Sequence, residues 1–300
     1  MTPATTPALT LSDGVTMPAV GLGVFQSPPE ETLTAVETAL RDGYRLIDTA
    51  AAYDNEREVG EGIRRSGVDR DQIFLTTKLW ISDYGYDAAR VGFGASLRRL
   101  GVDHVDLYLL HQPVPTDFEK TIGAHKAAET FLADGRARAI GVSNFSAEHL
   151  RRLIERTDVG PAINQVELHP YFTQPALREV HAELGIATQA WSPLGGVLVY
   201  MPGSGDEARS PLTDPVITDL AAMYDKTPAQ VVLRWHIEHG FCAIPKSVKP
   251  HRIAENFDVF DFSLTAEEVA AIDALDKGVR GGPDPELLSP QTYPKVVDNS

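Results

Sequence analysis

Four residues able to hold or move a proton stand at or just past the ends of strand-like apolar runs. Asp48 closes Arg45-Leu46-Ile47-Asp48, and Tyr53 follows in the next loop. Lys78 closes Ile73-Phe74-Leu75-Thr76-Thr77-Lys78, and His111 closes Val105-Asp106-Leu107-Tyr108-Leu109-Leu110-His111. A carboxylate, a phenol, an ammonium and an imidazole gathered together suit acid catalysis at a carbonyl. A phenol with its ordinary pKa of about 10 gives up its proton reluctantly at neutral pH. An ammonium alongside favours phenolate and so makes the hydroxyl a better acid. Lys78 can supply that charge, and Asp48 can hold Lys78 as a hydrogen-bonded ion pair. His111 can then orient the substrate oxygen and stabilise the charge that develops on it. Each residue alone has a plainer role: Asp48 as a helix cap, Tyr53 as packing, Lys78 as surface, His111 as a core histidine. Their joint placement at three successive strand ends favours the chemical role.

Other chemistries find less support. Asp48 and Glu167 are the only carboxylates placed at strand ends as a glycosidase pair would require. No His-x-x-x-His, Cys-x-x-Cys or carboxylate cluster marks a metal site, and a Gly-x-Ser-x-Gly elbow is absent. Gly21-Leu22-Gly23-Val24-Phe25-Gln26 begins like a dinucleotide fingerprint but lacks the third glycine and the following helix. A strand that needs little side-chain bulk explains it more simply.

The elements that must position these groups alternate. Short β-rich runs at residues 19–25, 44–48, 73–78, 105–111, 139–143, 162–166, 187–191 and 241–245 are separated by amphipathic helical patterns. The helices are expected at 30–41, 56–65, 88–100, 120–133, 147–156, 175–184 and 216–239, the last broken near Thr227-Pro228. Eight βα units with catalytic groups at successive strand ends point to an α/β fold, a single (β/α)8 TIM barrel with the chemistry at its C-terminal face. Residues 9–17, with Asp13-Gly14 at the turn, read as a hairpin, placed as a plug across the barrel floor. Two extra C-terminal helices follow at 250–257 and 266–275, and residues 278–300 read as an irregular tail. No linker divides the chain, so it reads as one domain with its core at about 9–275. Two long loops, 81–87 and 195–215, leave the face that carries the chemistry, as binding loops, lids or inert insertions.

Composition narrows the partners. The 300 residues are 43% hydrophobic and 23% charged, ordinary for a globular protein with a large core. The formal charge of −15 argues against nucleic acid or an anionic membrane as a general partner. The one cysteine, Cys242, cannot form an internal disulfide. The first residues lack the basic segment and apolar core of a signal peptide, and no apolar stretch is long enough to span a bilayer. A cytoplasmic monomer acting on a small molecule is therefore expected. Against the acidic background, Lys246-Ser247-Val248-Lys249-Pro250-His251-Arg252 carries three positive charges and no acid, between the last strand and the next helix. Barrels often bind phosphate there, and arginine offers a fork suited to a phosphate dianion. A solvated turn is the plainer alternative, and Glu255 is a discordant neighbour.

The same residues carry a family resemblance. Gly43-Tyr44-Arg45-Leu46-Ile47-Asp48-Thr49-Ala50 with Tyr53, Thr77-Lys78-Leu79-Trp80 and the run to His111 resemble the aldo-keto reductase superfamily. Ile140-Gly141-Val142-Ser143-Asn144-Phe145, Asn164-Gln165-Val166-Glu167-Leu168-His169-Pro170, Trp191-Ser192-Pro193-Leu194-Gly195 and Ile244-Pro245-Lys246-Ser247 continue it in order. The resemblance is greatest to bacterial reductases of the diketogluconate reductase and prostaglandin F synthase type. It implies a (β/α)8 barrel, NADPH as hydride donor, and a tetrad of Asp48, Tyr53, Lys78 and His111. It further implies that Ser143, Asn144 and Gln165 hold the nicotinamide carboxamide and that Trp191 stacks on its ring. Ser192, Leu194 and Gly195 would follow the pyrophosphate, and Lys246, Ser247, Arg252 and Asn256 would meet the adenosine end. One departure is visible: Gln112 follows His111 where many relatives carry tryptophan, which makes the expected pocket of Phe25, Trp80 and Gln112, with the Tyr84-Gly85-Tyr86 loop, more polar. The expected function is NADP(H)-dependent reduction of an aldehyde or ketone with Tyr53 as general acid. A barrel that only senses NADP, or the same site working mainly as an alcohol dehydrogenase, are the alternatives.

Overall fold

A computed structural model of the chain describes residues 7–197 and 210–299. Its centre is one sheet of eight parallel strands in the order β10-β9-β8-β7-β6-β5-β4-β3. These are β3 (Leu22–Gly23), β4 (Leu46–Asp48), β5 (Phe74–Leu79), β6 (Val105–Leu110), β7 (Ala137–Ser143), β8 (Ile163–Glu167), β9 (Ala187–Trp191) and β10 (Cys242–Ala243). Parallel bridges Val20↔Ala243 and Gly23↔Lys246 join the first segment to the last and close the sheet into the expected barrel. Every residue of β4, β5, β6 and β8 is buried, as befits parallel strands covered on both faces.

The helices between the strands are α1 (Pro29–Arg41), α2 (Glu56–Ser66), α3 (Tyr86–Leu100), α4 (Phe118–Ala133), α5 (Ala147–Ile154) and α6 (Pro175–Leu184). The segment 216–239 divides as anticipated into α7 (Pro215–Tyr224) and α8 (Pro228–Glu238). Thr227 caps α8 through a reciprocal pair with Gln230, and Pro228 takes the first turn, where its missing N–H costs nothing. α9 (Pro250–Phe257) and α10 (Ala266–Asp273) follow β10.

The first and last barrel strands are shorter than the runs at 19–25 and 241–245. The chain still pairs beyond them, Gly21 N donating to the Ala243 carbonyl and Gly23 N to the Pro245 carbonyl, and at close range: a Cβ on Gly21 would lie 2.4 Å from Leu46, and one on Gly23 would lie 2.9 Å from the Ile244 carbonyl oxygen. The two glycines therefore serve barrel closure. The amino-terminal hairpin, β1 (Ala8–Thr10) with β2 (Thr16–Pro18), turns at Gly14 with φ 83°. Its Leu11 and Met17 pack with Leu46, Phe74, Leu107 and Cys242 inside the barrel, forming the plug.

Loop 81–87 shortens to a single 3-10 turn, Ile81–Asp83, because Tyr86 and Asp87 already belong to α3. Most of loop 195–215 lies outside the described residues. The tail is irregular apart from the short turn Pro285–Leu287, yet it is pinned at both ends. At one end, Gly281 and Gly282 donate backbone N–H bonds to Glu167, at 2.6 and 2.9 Å. At the other, Lys295 accepts from Trp80 Nε1 through its carbonyl and pairs with Asp54, and Val297 N donates to Ser82 Oγ. Arg98 and Arg99 reach the carbonyls of Asn299 and Asp298. The tail thus runs across the C-terminal face from the end of β8 to the end of β5. No described helix is long and apolar enough to cross a membrane.

Candidate active site

Register sets the first contacts. Asp48 on β4 stands opposite Thr76 on β5, and Lys78 lies two residues beyond Thr76. Side chains alternate along a strand, so Asp48 and Lys78 share the inner face. Lys78 Nζ lies 2.5 Å from Asp48 Oδ1, 2.9 Å from the Thr49 carbonyl and 3.3 Å from the Tyr53 hydroxyl. Tyr53 is brought there by a 3-10 turn, Ala51–Tyr53, that ends on Asp54 in the left-handed region, φ 58°. His111 follows β6 directly, its N–H bonded to the Leu79 carbonyl. Its ring meets Tyr53 edge-on at 5.6 Å and Trp80 at 5.1 Å. All four groups therefore converge at the C-terminal ends of three adjacent strands.

Burial governs the charges. Lys78 and Asp48 are almost wholly removed from water. Desolvation pushes the Asp48 carboxyl up and the Lys78 amine down, and each ion, with its hydrogen bonds, pushes the other back. The surroundings suit ions: both carboxylate oxygens receive donors, the second from Gln165 Nε2 at 2.7 Å, while Nζ faces three oxygens. Burial, and then the Lys78 charge, hold the His111 imidazole well below its usual range, so it is neutral at physiological pH. Its Nδ1 has no hydrogen-bond partner.

The residues expected around the nicotinamide border this group. Ser143 ends β7, and Asn144 follows with φ 66°. Ser143 Oγ donates to the Gln165 carbonyl, and Asn144 Nδ2 is spent on the His111 carbonyl and Ser143 Oγ. Trp191 at the end of β9 donates Nε1–H to Asn144 Oδ1 at 2.8 Å. Gln165 uses both Nε2 protons, on Asp48 and on Gln189. Ser192 is left-handed, φ 49°, with its Oγ accepting from Val197 N. Leu194 is half-buried, and Gly195 has φ 68°. Lys246 and Arg252 are exposed, while Ser247 and Asn256 are buried on the same segment. Ser247 Oγ accepts from Lys249 N just before α9.

Phe25 is 42% exposed and meets Tyr53 edge-on at 5.1 Å, and Trp80 stands on the other side against His111. Gln112 is bound through its backbone to the Tyr84 hydroxyl, which donates to its carbonyl and accepts from its N–H. Tyr84 is thereby turned inward and fixes Gln112, and Tyr86 lies exposed at the start of α3. Among the described residues no group of three or more His, Cys, Asp or Glu is placed to hold a metal.

The tail's contacts and Gln189 were not among the sequence-derived candidates, and Glu167 entered there only as half of a glycosidase pair. Glu167 is fully buried, shared between His169, Gly281 and Gly282. A Cβ on Gly282 would lie 2.5 Å from the Trp191 ring and 3.0 Å from Glu167, so the tail rests directly on the tryptophan. Backbone atoms make these contacts, and they leave no mark in a sequence beyond the glycines themselves.

Comparison with known proteins agrees with this geometry. Residues 19–277 match the Aldo/keto reductase family. The chain is 54% identical over 294 residues to morphine 6-dehydrogenase of Pseudomonas putida, covering 97% of this chain and 98% of that protein. It is 47% identical over 278 residues to a methylglyoxal reductase of Escherichia coli strain K12, covering 92% and 96%. The structure of a Bombyx mori aldo-keto reductase in complex with NADP superposes with a TM-score of 0.84 at 39% identity, covering 93% and 95%. An eight-stranded barrel bearing this tetrad, matched over nearly its whole length, places the chain in the aldo/keto reductase family.

Proposed function

We propose that the protein reduces aldehyde or ketone carbonyls to alcohols with NADPH. The observation that carries this is the Lys78 ammonium 3.3 Å from the Tyr53 hydroxyl and 2.5 Å from Asp48. When bound, the dinucleotide supplies hydride to the carbonyl carbon. One acceptor is left open for its carboxamide. Ser143 Oγ and Asn144 Nδ2 are spent within the protein, whereas Gln165 Oε1 is uncommitted among the described residues and can accept from a carboxamide NH2. Trp191 stands partly exposed beside this group, and the exposed cations Lys246 and Arg252 offer charge to a phosphate.

Tyr53 gives its proton to the substrate oxygen. The phenolate left behind sits beside the Lys78 ammonium, which Asp48 and Thr49 hold in place. His111, kept neutral, donates one hydrogen bond and orients the same oxygen without adding charge. The three groups are fixed before substrate arrives, which is how a protein lowers the barrier of a step whose bond-making the cofactor supplies. Because every step reverses, alcohol oxidation is open to the same site. The whole chain works in this reading as one barrel domain, with its core at about 9–275. It needs no residue from a second copy, which supports a monomer, and the single buried Cys242 suits a cytoplasmic location. Light scattering at the mass of two chains would remove the monomer.

Tyr53→Phe tests the assignment. Positioned acid catalysis contributes roughly 10²–10⁴-fold, so NADPH oxidation with aldehydes should fall at least 100-fold while the NADPH dissociation constant stays near that of the unaltered protein. Retention of most activity would take the acid's role from Tyr53.

A further inference from the structure

The barrel interior holds a polar chain that the tetrad alone does not call for. Gln165 on β8, Gln189 on β9 and Cys242 on β10 stand in register across three strands, so their side chains share the inner face. All three are buried, Gln189 and Cys242 completely. Gln165 Nε2 donates one proton to Asp48 Oδ2 and the other to Gln189 Oε1, each at 2.7 Å. Gln189 Nε2 donates to Cys242 Sγ at 3.2 Å and lies 4.0 Å from Met17 Sδ. Sulfur is a weak acceptor, and a lone amide among apolar residues costs stability unless it is hydrogen-bonded. With its amide reversed, Gln189 could accept from the Cys242 thiol but would set NH2 against NH2 at Gln165, and that clash decides the orientation. One orientation alone satisfies Gln189, and that orientation aims the Gln165 amide at Asp48.

We propose that Gln189 is a positioning residue for proton delivery: by holding the Gln165 amide it keeps Asp48 Oδ2 bonded, and so keeps the Lys78 ammonium seated beside Tyr53. The proposal rests on the carbonyl-reductase function above. Without Gln189, one Gln165 proton is orphaned in the core, and the amide gains by swinging toward the barrel mouth. Asp48 then loses a donor that favours its ionised form. A less stabilised carboxylate raises the proton affinity of the coupled Asp48–Lys78 pair, so the pair gives up its proton at higher pH, and the ammonium is less firmly seated beside Tyr53. The ionisable groups facing Lys78 are Asp48 from β4, Tyr53 from the following turn, His111 from the end of β6 and Glu56 from α2. All four are unaltered in a Gln189 variant.

The test compares the unaltered protein with Gln189→Met, Gln189→Thr and Gln189→Glu, using NADPH and methylglyoxal as the probe. Methionine keeps the volume and removes the acceptor; threonine is the second variant should methionine not fold. For either, kcat should fall about tenfold, in line with the steep dependence of rate on placement, and the alkaline limb of its pH profile should move up by about half a unit or more. Gln189→Glu retains an acceptor oxygen and, protonated in the core, should return kcat to within about threefold at neutral pH. A lower melting temperature with kcat and the alkaline limb unmoved would make Gln189 simple packing and overturn the proposal. A Gln189→Glu protein as impaired as Gln189→Met would also overturn it. If the unaltered protein oxidises no NADPH with any carbonyl, the underlying function fails, and that arm is read before any variant is compared.

Discussion

A buried ammonium persists only where each of its protons finds an oxygen, and Lys78 meets that condition with Asp48, Thr49 and Tyr53. The residue scale therefore ties activity to a small set of side chains that hold one another. Arg252 is a different case: exposed, on α9, with Lys246 and Lys249 near it in sequence. A guanidinium meeting a phosphate forms hydrogen bonds worth about 1.5–3 kcal/mol, and only NADPH carries the extra phosphate. Arg252→Ala should accordingly raise the Michaelis constant for NADPH by roughly tenfold to a hundredfold and leave that for NADH nearly unchanged. Equal effects on both, read from initial rates, would refute a phosphate contact.

At the scale of elements, much was legible before any coordinates. Apolar runs bounded by glycine mark the strands, and Thr227-Pro228 marks the break between α7 and α8. Asp48, Lys78 and His111 were legible because each sits where a strand ends, and Tyr53 because it follows in the next turn. Gln189 was not, since a polar residue inside an apolar strand carries no sign of what it faces. The tail's anchoring was hidden too, because main-chain atoms make most of it. Helix packing shows a further constraint that periodicity does not reveal. A Cβ on Gly60 of α2 would lie 2.0 Å from the Leu100 carbonyl at the end of α3. Alanine in a helix ordinarily gains about 0.5–1 kcal/mol over glycine, but forcing two helices apart costs typically 1–3 kcal/mol. The clash wins, so Gly60→Ala should lower the urea midpoint; a raised midpoint would show that α2 and α3 separate freely.

Across the whole molecule, buried neutral histidines set an acid limit on stability. Burial pulls His181 down to about 4 and His236 down to about 3. His236 donates through Nε2 to the Pro193 carbonyl while its Nδ1 has no partner. Unfolding releases both rings to an ordinary pKa of about 6.5. Between that value and about 4, the unfolded chain binds protons that the native barrel refuses, so stability present at pH 7 is lost as pH falls. Each histidine contributes a slope of about 1.4 kcal/mol per pH unit in that window. Urea midpoints at pH 7, 6 and 5 should decline in step, and His236→Phe should flatten the decline by one histidine's share. An unchanged slope in that variant would show that other groups govern acid unfolding.

The carboxyl-terminal strap is fastened through amide hydrogens at Gly281, Gly282 and Val297 and carbonyls at Lys295, Asp298 and Asn299. Peptide groups are common to almost every amino acid, so such a fastening asks little of residue identity between its ends. Mutation can therefore redraw the chemistry that this segment presents to an incoming molecule while its path stays fixed, which makes it a stretch where new preferences can be tried without remaking the barrel.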